Sequence, residues 1–304
     1  MNVPYDSRCG DATCLGIRAR DYVVVGKPRI LLVAVASVSV GYFAGAGGSV
    51  RFTHLWFSVV LISAVAYGAA AFNQCSEWVE DRLMCRTVDR PVSSGRVTSR
   101  EVILVGGLVS AVGIVGLWVW CTLLTALLAL SVLVLYGIVY TPLKRVTFFG
   151  TIPGAISGAL PPMLGWCASG NENLVPGLVL FTFLFGWQFP HFLAIATIYK
   201  KDYAVVGYRL LPLIGSETDL SGPIAAAYAI GTLPSVIWVE RCGLVGSRGV
   251  LLLVVCGICY VLVSFRFWHS RSIRQSRIVL TVSLIFVCVA FVTVGLRCFL
   301  SLGS

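Results

Sequence analysis

Charged side chains are scarce in this sequence. They make up 12% of the 304 residues, only 13 residues are acidic, and the stretch between Glu101 and Lys144 contains no Asp, Glu, Lys or Arg. Soluble domains carry about 25% charged residues, so this composition excludes an ordinary soluble protein. Hydrophobic residues fill 58% of the chain in long uninterrupted blocks, which is typical of an integral membrane protein.

The apolar blocks also lack the alternation of apolar and polar residues that membrane β-strands require. Lipid offers the backbone no hydrogen-bond partner, so continuous apolar blocks of about 20 residues predict spanning helices. We predict an all-α bundle of nine spans in a single domain, residues 30–300, after a polar N-terminal segment, residues 1–29. The spans are residues 30–46, 55–72, 102–119, 121–140, 148–168, 174–198, 223–238, 250–267 and 278–296.

Positive charge is not scarce, and it is distributed unevenly. With nine spans, nearly all of the 23 Lys and Arg residues fall on the side that holds the N-terminus, and the exceptions are Arg51, Arg241, Arg248 and Arg297. This is the positive-inside pattern, so we expect the N-terminus and the loops beside it to lie inside. Because the cations are spread over loops next to the membrane, they do not indicate binding to nucleic acid.

A secretion signal and a metal-binding cysteine set are also missing. The first 29 residues are polar and lead into the first apolar run without a cleavage site, so we expect no cleaved leader. The 11 cysteines are odd in number and scattered. Cys256 and Cys259 form a CxxC inside an apolar helix with no His or acid nearby, and we interpret them as lipid-compatible small residues.

The few acids are concentrated at the end of the second span, in the sequence NQCSEWVEDRLMCRT. If the helix continues, Asn73, Glu77 and Asp81 lie four residues apart on one face. Glu80 lies on that face too, whereas Arg82 points away. Such oxygen ligands suit Mg²⁺, which proteins often bind together with substrate phosphates. Taken alone, a solvated helix end, on which Glu77 pairs weakly with Arg82 or Arg86, explains the cluster equally well.

Arginines follow the acids. Arg86, Arg90, Arg96 and Arg100 flank the turn-like sequence PVSSG. Arginine binds phosphate oxygens in forked pairs, so arginines beside a carboxylate site favour a diphosphate ligand.

Two further inside helix ends carry polar groups. The sequence YTPLKR places Tyr140, Lys144 and Arg145 at the end of the fourth span, where an interfacial anchor is the alternative. The sequence WQFPHF in the sixth span includes His191, and an ionisable residue within the membrane is a functional candidate. A histidine hydrogen-bonded between helices is an equal alternative. Together the three ends predict one polar cavity, open to the inside, for a metal diphosphate.

These motifs resemble those of the UbiA-type intramembrane prenyltransferases and, within them, the protohaem IX farnesyltransferases or haem O synthases. The resemblance extends from about residue 21 to the last span, and WQFPHF is its most specific part. The matching residues are Asn73, Glu77 and Asp81; Met84, Arg86-Thr87, Arg90-Pro91 and Gly95; the sequences DYVVVGKPRI, YTPLKR and WQFPHF; and Lys201-Asp202-Tyr203, Gly207 and Leu210-Leu211-Pro212.

The resemblance implies transfer of a farnesyl group from farnesyl diphosphate to the 2-vinyl group of haem B, which gives haem O. It implies that Asn73, Glu77 and Asp81 hold Mg²⁺ on the diphosphate. It also implies that Tyr140 stabilises an allylic cation or binds diphosphate. It assigns the following roles: catalysis to Asn73, Glu77, Asp81, Tyr140 and Lys144; diphosphate binding to Arg86, Arg90, Lys144, Arg145, Lys201 and Asp202; haem binding to His191 and Trp187; and Mg²⁺ binding to Asn73, Glu77 and Asp81, with Asp202 as a further candidate.

Two positions depart from the superfamily pattern. Glu77 stands in place of an aspartate, which lengthens the reach by one methylene. The second acidic motif is reduced to Asp202 beside Lys200 and Lys201. We therefore expect lysines to supply part of the charge there, rather than a second Mg²⁺ held by protein acids alone.

Other functions stay open at this point. A prenyltransferase for 4-hydroxybenzoate or another quinone precursor fits the acids and YTPLKR but not WQFPHF. A transporter is the alternative from another class, although transporters place their charges near the midplane rather than at helix ends. A structural subunit of an oxidase leaves the acids unexplained.

The expected surroundings of the protein follow from these features. The lipid bilayer delivers both apolar substrates, and a haem A synthase or oxidase assembly protein is a candidate partner. The short N-terminus without an Arg/Ser-rich leader favours a bacterial inner membrane over a mitochondrial one.

Overall fold

A computed structural model of the chain describes residues 11–209, 211, 219–270 and 272–301. Within these residues all regular structure is helical. Residues 1–10 of the predicted N-terminal segment, and Leu210 and Pro212 of the family motif, lie outside the described part. The α-helices are α1 (Asp11–Val25), α2 (Pro28–Ala46), α3 (Phe52–Ser76), α4 (Trp78–Asp81), α5 (Ser99–Trp120), α6 (Leu123–Val132), α7 (Thr141–Val146), α8 (Thr151–Ala168), α9 (Val175–Ile198), α10 (Lys200–Val205), α11 (Ser221–Arg241), α12 (Ser247–Ser270) and α13 (Ile273–Ser301).

Each of the nine predicted spans coincides with a long helical segment. The fourth consists of α6, a π-helical stretch (Leu133–Tyr140) and α7, which together run without a break. By length and composition, eight of the described helices are apolar enough to cross a membrane. The exception is α8, which has 18 residues, two internal prolines and eleven buried residues. Because neighbouring helices cover α8, it does not need the hydrophobicity of a lipid-facing span.

The bundle has two halves that meet at α8. One core lies among α2, α3, α5 and α6, and a larger one lies among α9, α11, α12 and α13. Helix α8 contacts both α2 and α9, and α13 reaches back to α2, so the two halves form one body. A smaller cluster joins α1, the end of α3 and the loop of residues 82–98.

Glycines allow the helices beside α8 to approach closely. A Cβ atom on Gly165 would lie 1.9 Å from the carbonyl oxygen of Val38 in α2, and one on Gly41 would lie 2.0 Å from the carbonyl oxygen of Pro162. Small residues at such crossings let backbones pack without side chains between them, which is how membrane helices associate. This contact fixes α2 against the centre of the bundle.

The turn between α1 and α2 has an unusual backbone. Lys27 has φ +51°, and no other non-glycine residue in the described part has positive φ. The left-handed conformation costs an L-residue about 1–2 kcal/mol. Gly26, which precedes it, is needed for another reason, since a Cβ atom there would lie 2.6 Å from the Tyr67 ring of α3.

The loop of residues 82–98 folds back over the end of α3. The Gln74 side-chain oxygen accepts a hydrogen bond from the backbone N–H of Val92 at 3.3 Å, and the Thr87 hydroxyl donates to the carbonyl of Asp81 at 3.1 Å. Helix α5 then begins with a capping box between Thr98 and Glu101. The loop is therefore an ordered cover over Glu77, which follows α3, and over the acids of α4.

Candidate active site

The acid-bearing segment stays helical up to Asp81, with an interruption at Glu77. The N–H of Glu77 donates to the carbonyl of Asn73 at 3.1 Å, and the N–H of Asp81 donates to the carbonyl of Glu77 at 2.8 Å. The side chains of these three residues are buried, as their shared face predicts, and Asp81 has no exposed surface. Glu80 differs from the expectation, because it pairs with Arg145 at 2.8 Å instead of joining the other acids.

Two cations meet the buried acids. Arg90, from the covering loop, lies 2.7 Å from an oxygen of Asp81 and 3.6 Å from Glu77. Lys144, from α7, donates to Glu77 at 2.6 Å and is itself buried. The structure thus brings the first and second predicted helix ends together in one cluster. The sequence suggested Arg82 or Arg86 as partners of Glu77, and neither of them fills that role.

Asn73 connects the acids to two other helices. Its amide nitrogen donates to Glu77 and, at 2.9 Å, to the hydroxyl of Thr141 in α7. Its amide oxygen accepts a hydrogen bond from the Lys27 ammonium, which also donates to the Tyr136 hydroxyl at 3.0 Å. The opposite charges of Lys27 and Glu77 leave only one chemically reasonable orientation of the amide.

The π-helical stretch places tyrosines beside this cluster. Tyr136 and Tyr140 stack with ring centroids 5.7 Å apart, and the Thr141 hydroxyl reaches back five residues to the carbonyl of Tyr136 at 3.2 Å. Pro142 lacks an N–H group and so cannot continue the regular ladder. π-Helical segments within α-helices are rare and are frequent at functional sites.

A third tyrosine closes the cluster from the segment after α10. The ring of Tyr208 lies under the Lys144 ammonium, 4.4 Å from ring centroid to nitrogen, and the Tyr140 ring lies 5.2 Å from the same nitrogen. Tyr208 is buried and its hydroxyl has no hydrogen-bond partner in the described part. Burial raises the pKa of Tyr208, although Lys144 opposes the shift.

The two acids titrate in opposite directions. Burial disfavours the Glu77 carboxylate, but Lys144, Lys27 and Arg90 together outweigh it, so the pKa of Glu77 lies below its ordinary value. Burial dominates at Asp81 and the Glu77 charge adds to it, so the pKa of Asp81 is raised despite Arg90. Asp81 also keeps one buried oxygen, Oδ1, without a hydrogen-bond partner in the described residues.

The outer arginines lie around the cluster rather than in it. Arg145 donates to the carbonyl of Ser76 at the end of α3 and pairs with Glu80. Arg86 is exposed, lies over the rings of Tyr199 and Tyr203, and donates to the Tyr203 hydroxyl at 3.3 Å. Arg86 thereby ties the covering loop to α10.

The reduced second motif is not part of the buried cluster. Lys201 is exposed and Asp202 is half-buried. Neither has an ion pair in the part of the chain that the structure describes, nor do His, Cys, Asp or Glu side chains there form a group of three that could hold a metal ion. Any metal site on Glu77 and Asp81 would therefore need oxygens from the ligand to complete it.

His191 lies in α9, two turns before the end of the helix. Its Nδ1 is 2.8 Å from the hydroxyl of Ser283 in α13, and that hydroxyl donates to the carbonyl of Leu280 at 2.7 Å. The ring of Trp187 lies 5.0 Å from the His191 ring, and its Nε1 donates to the carbonyl of Ser283 at 2.7 Å. Because the Ser283 hydroxyl donates to Leu280, the tautomer that fits this contact has its proton on Nδ1 of His191 and a lone pair on Nε2.

Sequence reasoning missed several members of this cluster. Lys27 was counted only as a basic residue before the first span, and Tyr136, Thr141 and Tyr208 carried no role. The one available signal for Lys27 and Tyr208 was that DYVVVGKPRI and the KDY…G segment resemble the family. That resemblance did not indicate that these segments contact the acids. Lys27 contacts residues that are 46 and 109 positions away, and contacts at such separations produce no periodic pattern in the sequence.

Comparison with curated proteins gives consistent relatives. A protein of Solibacter usitatus named protoheme IX farnesyltransferase is 32% identical over 277 residues, which cover 88% of this chain and 95% of the relative. A mitochondrial protoheme IX farnesyltransferase of Arabidopsis thaliana is 32% identical over 88% of this chain and 63% of its own length.

Solved structures share the fold. A digeranylgeranylglyceryl phosphate synthase matches with a TM-score of 0.76 at 12% identity, over 94% of this chain and 99% of that one. A UbiA homolog of Archaeoglobus fulgidus, solved with GPP and Mg²⁺, matches with a TM-score of 0.65 at 15% identity, over 93% of this chain and 100% of that one. The sequence model of the UbiA prenyltransferase family matches residues 34–286. This chain is therefore a multi-pass membrane protein that belongs to the UbiA prenyltransferase family.

Proposed function

We propose that the protein transfers the farnesyl group of farnesyl diphosphate to the 2-vinyl group of haem B and so produces haem O. The observation that carries this proposal is the buried cluster of Asn73, Glu77 and Asp81 with Lys144 and Arg90. It occurs in a chain that is 32% identical, over most of its length, to relatives named protoheme IX farnesyltransferase.

The cluster fits a magnesium ion that is shared with the diphosphate. Among the described residues, Asp81 Oδ1 is buried without a hydrogen-bond partner, and an unpaired carboxylate oxygen in such a place is the kind of group a hard cation satisfies. Glu77 and Asp81 would hold the ion, and Asn73 has a second lone pair on its amide oxygen. When bound, the metal would neutralise charge on the departing diphosphate.

Lys144 and Arg90 are the residues best placed to bind the diphosphate oxygens. Both are already anchored on the acids, so their donors are held in position before a ligand arrives. We assign outer roles to Arg86 and Arg145, which fix the covering loop and the end of α3. Lys201 and Asp202 stay predictions as diphosphate or metal ligands.

The reaction breaks the bond between C1 of the farnesyl group and the diphosphate oxygen, which leaves an allylic cation. The stacked rings of Tyr136 and Tyr140 stand beside the cluster, and an aromatic face stabilises a nearby cation. The vinyl group then attacks C1, and water adds to the cation formed on the haem substituent and releases a proton. The covering loop and the buried cluster keep water from the first cation.

We assign the haem acceptor to the region of His191 and Trp187. Ser283 contacts Nδ1 of the imidazole, which would leave the lone pair of Nε2 to ligate iron, and histidine ligands commonly have their other nitrogen held in this way. Eight residues along α9 separate His191 from Tyr199, which contacts Arg86. This is about 12 Å of helix, so the acceptor would lie deeper in the bundle than the diphosphate.

The proposed setting is the bacterial plasma membrane, with the N-terminus and the covering loop inside. The uneven distribution of Lys and Arg supports this orientation, and the Solibacter usitatus relative is a bacterial protein. A haem A synthase or oxidase assembly partner stays a prediction.

The test is product formation by the purified protein. Haem B, farnesyl diphosphate and Mg²⁺ are incubated with the wild type and with Asp81→Asn, and extracted haems are analysed by mass spectrometry. We expect a haem heavier by a farnesyl group plus water from the wild type only. Prenylation of 4-hydroxybenzoate but not of haem would keep the chemistry and refute the acceptor.

A further inference from the structure

The turn before α2 contributes Lys27 to the site, a residue to which the sequence motifs assigned no role. Lys27 is the third cation at the buried cluster, after Lys144 and Arg90, and its ammonium donates to the amide oxygen of Asn73 and to the hydroxyl of Tyr136. The Tyr136 ring also lies beside this ammonium, 5.4 Å from its centroid. Three helices, α2, α3 and the π-helical stretch, therefore meet at a single nitrogen atom.

The backbone at this position is strained. Lys27 has φ +51° and ψ +62°, a conformation that glycine adopts far more readily than lysine. Pro28 restricts it further, since proline disfavours right-handed helical backbone in the residue before it. A residue kept in an unfavourable conformation at the edge of a site indicates that its side chain is needed there.

The balance of formal charges in the cluster also indicates a role for the Lys27 side chain. Glu77 and Asp81 carry two negative charges, and Lys144 with Arg90 balances them, so Lys27 gives the cluster its positive excess. A diphosphate with one Mg²⁺ is still an anion, and a site with a net positive formal charge complements it.

We propose that Lys27 is a positioning residue that acts through Asn73. Its ammonium holds the amide oxygen, so that the amide nitrogen donates to Glu77 and to Thr141 and fixes the orientation of the Glu77 carboxylate, which would help hold the metal-diphosphate ligand. This proposal rests on the proposed function, because it assigns Glu77 to that ligand. Partners that orient metal ligands typically contribute 10- to 100-fold to metal affinity, so we expect a loss of about that size without the ammonium.

The test measures binding rather than turnover. Free Mn²⁺ is followed by electron paramagnetic resonance during titration of the purified protein with the unreactive analogue farnesyl thiolodiphosphate present. Lys27→Met should weaken Mn²⁺ binding about 10- to 100-fold, whereas the control Arg29→Met, an exposed cation two residues away, should leave it unchanged. In an Asn73→Leu background, Lys27→Met should add little, since the two residues act as one unit.

Lys27→Gly separates the side chain from the backbone. Glycine relieves the left-handed strain, so this variant should melt no lower than Lys27→Met and should still bind Mn²⁺ as weakly as Lys27→Met does. Wild-type binding in Lys27→Met or in Lys27→Gly would overturn the positioning role while leaving the proposed function intact. Absence of Mn²⁺ binding in the wild type would overturn the metal-diphosphate site, and this inference with it.

Discussion

Removal of Arg90 should destabilise the folded protein, because Arg90 pairs with the buried carboxylate of Asp81. Asp81 has no exposed surface, and Arg90 at 2.7 Å is its one ion-pair partner in the described residues. Breaking a buried pair by removing one partner costs about 3–5 kcal/mol, since the remaining charge is left without compensation. Arg90 is 22% exposed and Glu77 keeps Lys144, so we expect Arg90→Met to cost about 3 kcal/mol, at the low end of that range.

This cost should depend on pH in a defined direction. Without Arg90, the pKa of Asp81 in the folded protein rises further above its unfolded value. The folded state then binds more protons than the unfolded state between the two pKa values, so stability falls as pH rises through that window. The Arg90→Met penalty should therefore be largest above the folded pKa of Asp81 and should shrink as the pH is lowered.

The assay is SDS-induced unfolding in detergent with EDTA present, followed by tryptophan fluorescence. About 3 kcal/mol is roughly a 150-fold change in the unfolding equilibrium. The control is Arg82→Met in the same loop, because Arg82 lies over Trp78 and donates to the carbonyl of Ser93 without pairing an acid. The double variant Arg90→Met/Asp81→Asn should recover most of the loss. A single-variant cost no greater than that of Arg82→Met, or a double variant no more stable than Arg90→Met, would refute the reasoning.

Three further outcomes are expected. Gly165→Ala should lower the melting temperature in detergent, with a cost of about 1–3 kcal/mol from overpacking against the Val38 carbonyl, whereas Gly231→Ala, in open space on α11, should not. His191→Ala should abolish the shift of the haem B Soret band on binding without changing Mn²⁺ binding, and an unchanged shift would remove His191 from the haem site. In EDTA, the wild type should become less stable as the pH falls from the ordinary carboxylate range through the lowered pKa of Glu77, because protonation removes the stabilisation of its carboxylate. Glu77→Gln should not show this loss of stability. SDS-induced unfolding of the wild type and of the variant across acidic pH measures the difference.

The positions of the membrane helices could be read from the sequence because they depend on local composition. An apolar run of span length has no alternative in lipid but a helix, so the nine segments were predicted within a few residues of the observed helices. The shared face of Asn73, Glu77 and Asp81 was also predictable, since helical spacing sets it. The central position of α8 was not, because that depends on which helices cover it.

The sequence by itself thus determined an all-α membrane bundle, the helices in it and the acids at the end of the second span. The tertiary structure alone decided how those acids are neutralised. In the folded protein Arg90 pairs with Asp81 and Glu77, and Lys144 pairs with Glu77. Glu80 pairs with Arg145, and Lys27 donates to Asn73, which is 46 residues away in the sequence. Spacing along a helix fixes direction over a few turns, whereas these partners meet only when α2, α3 and α7 pack together, and packing depends on the whole chain at once.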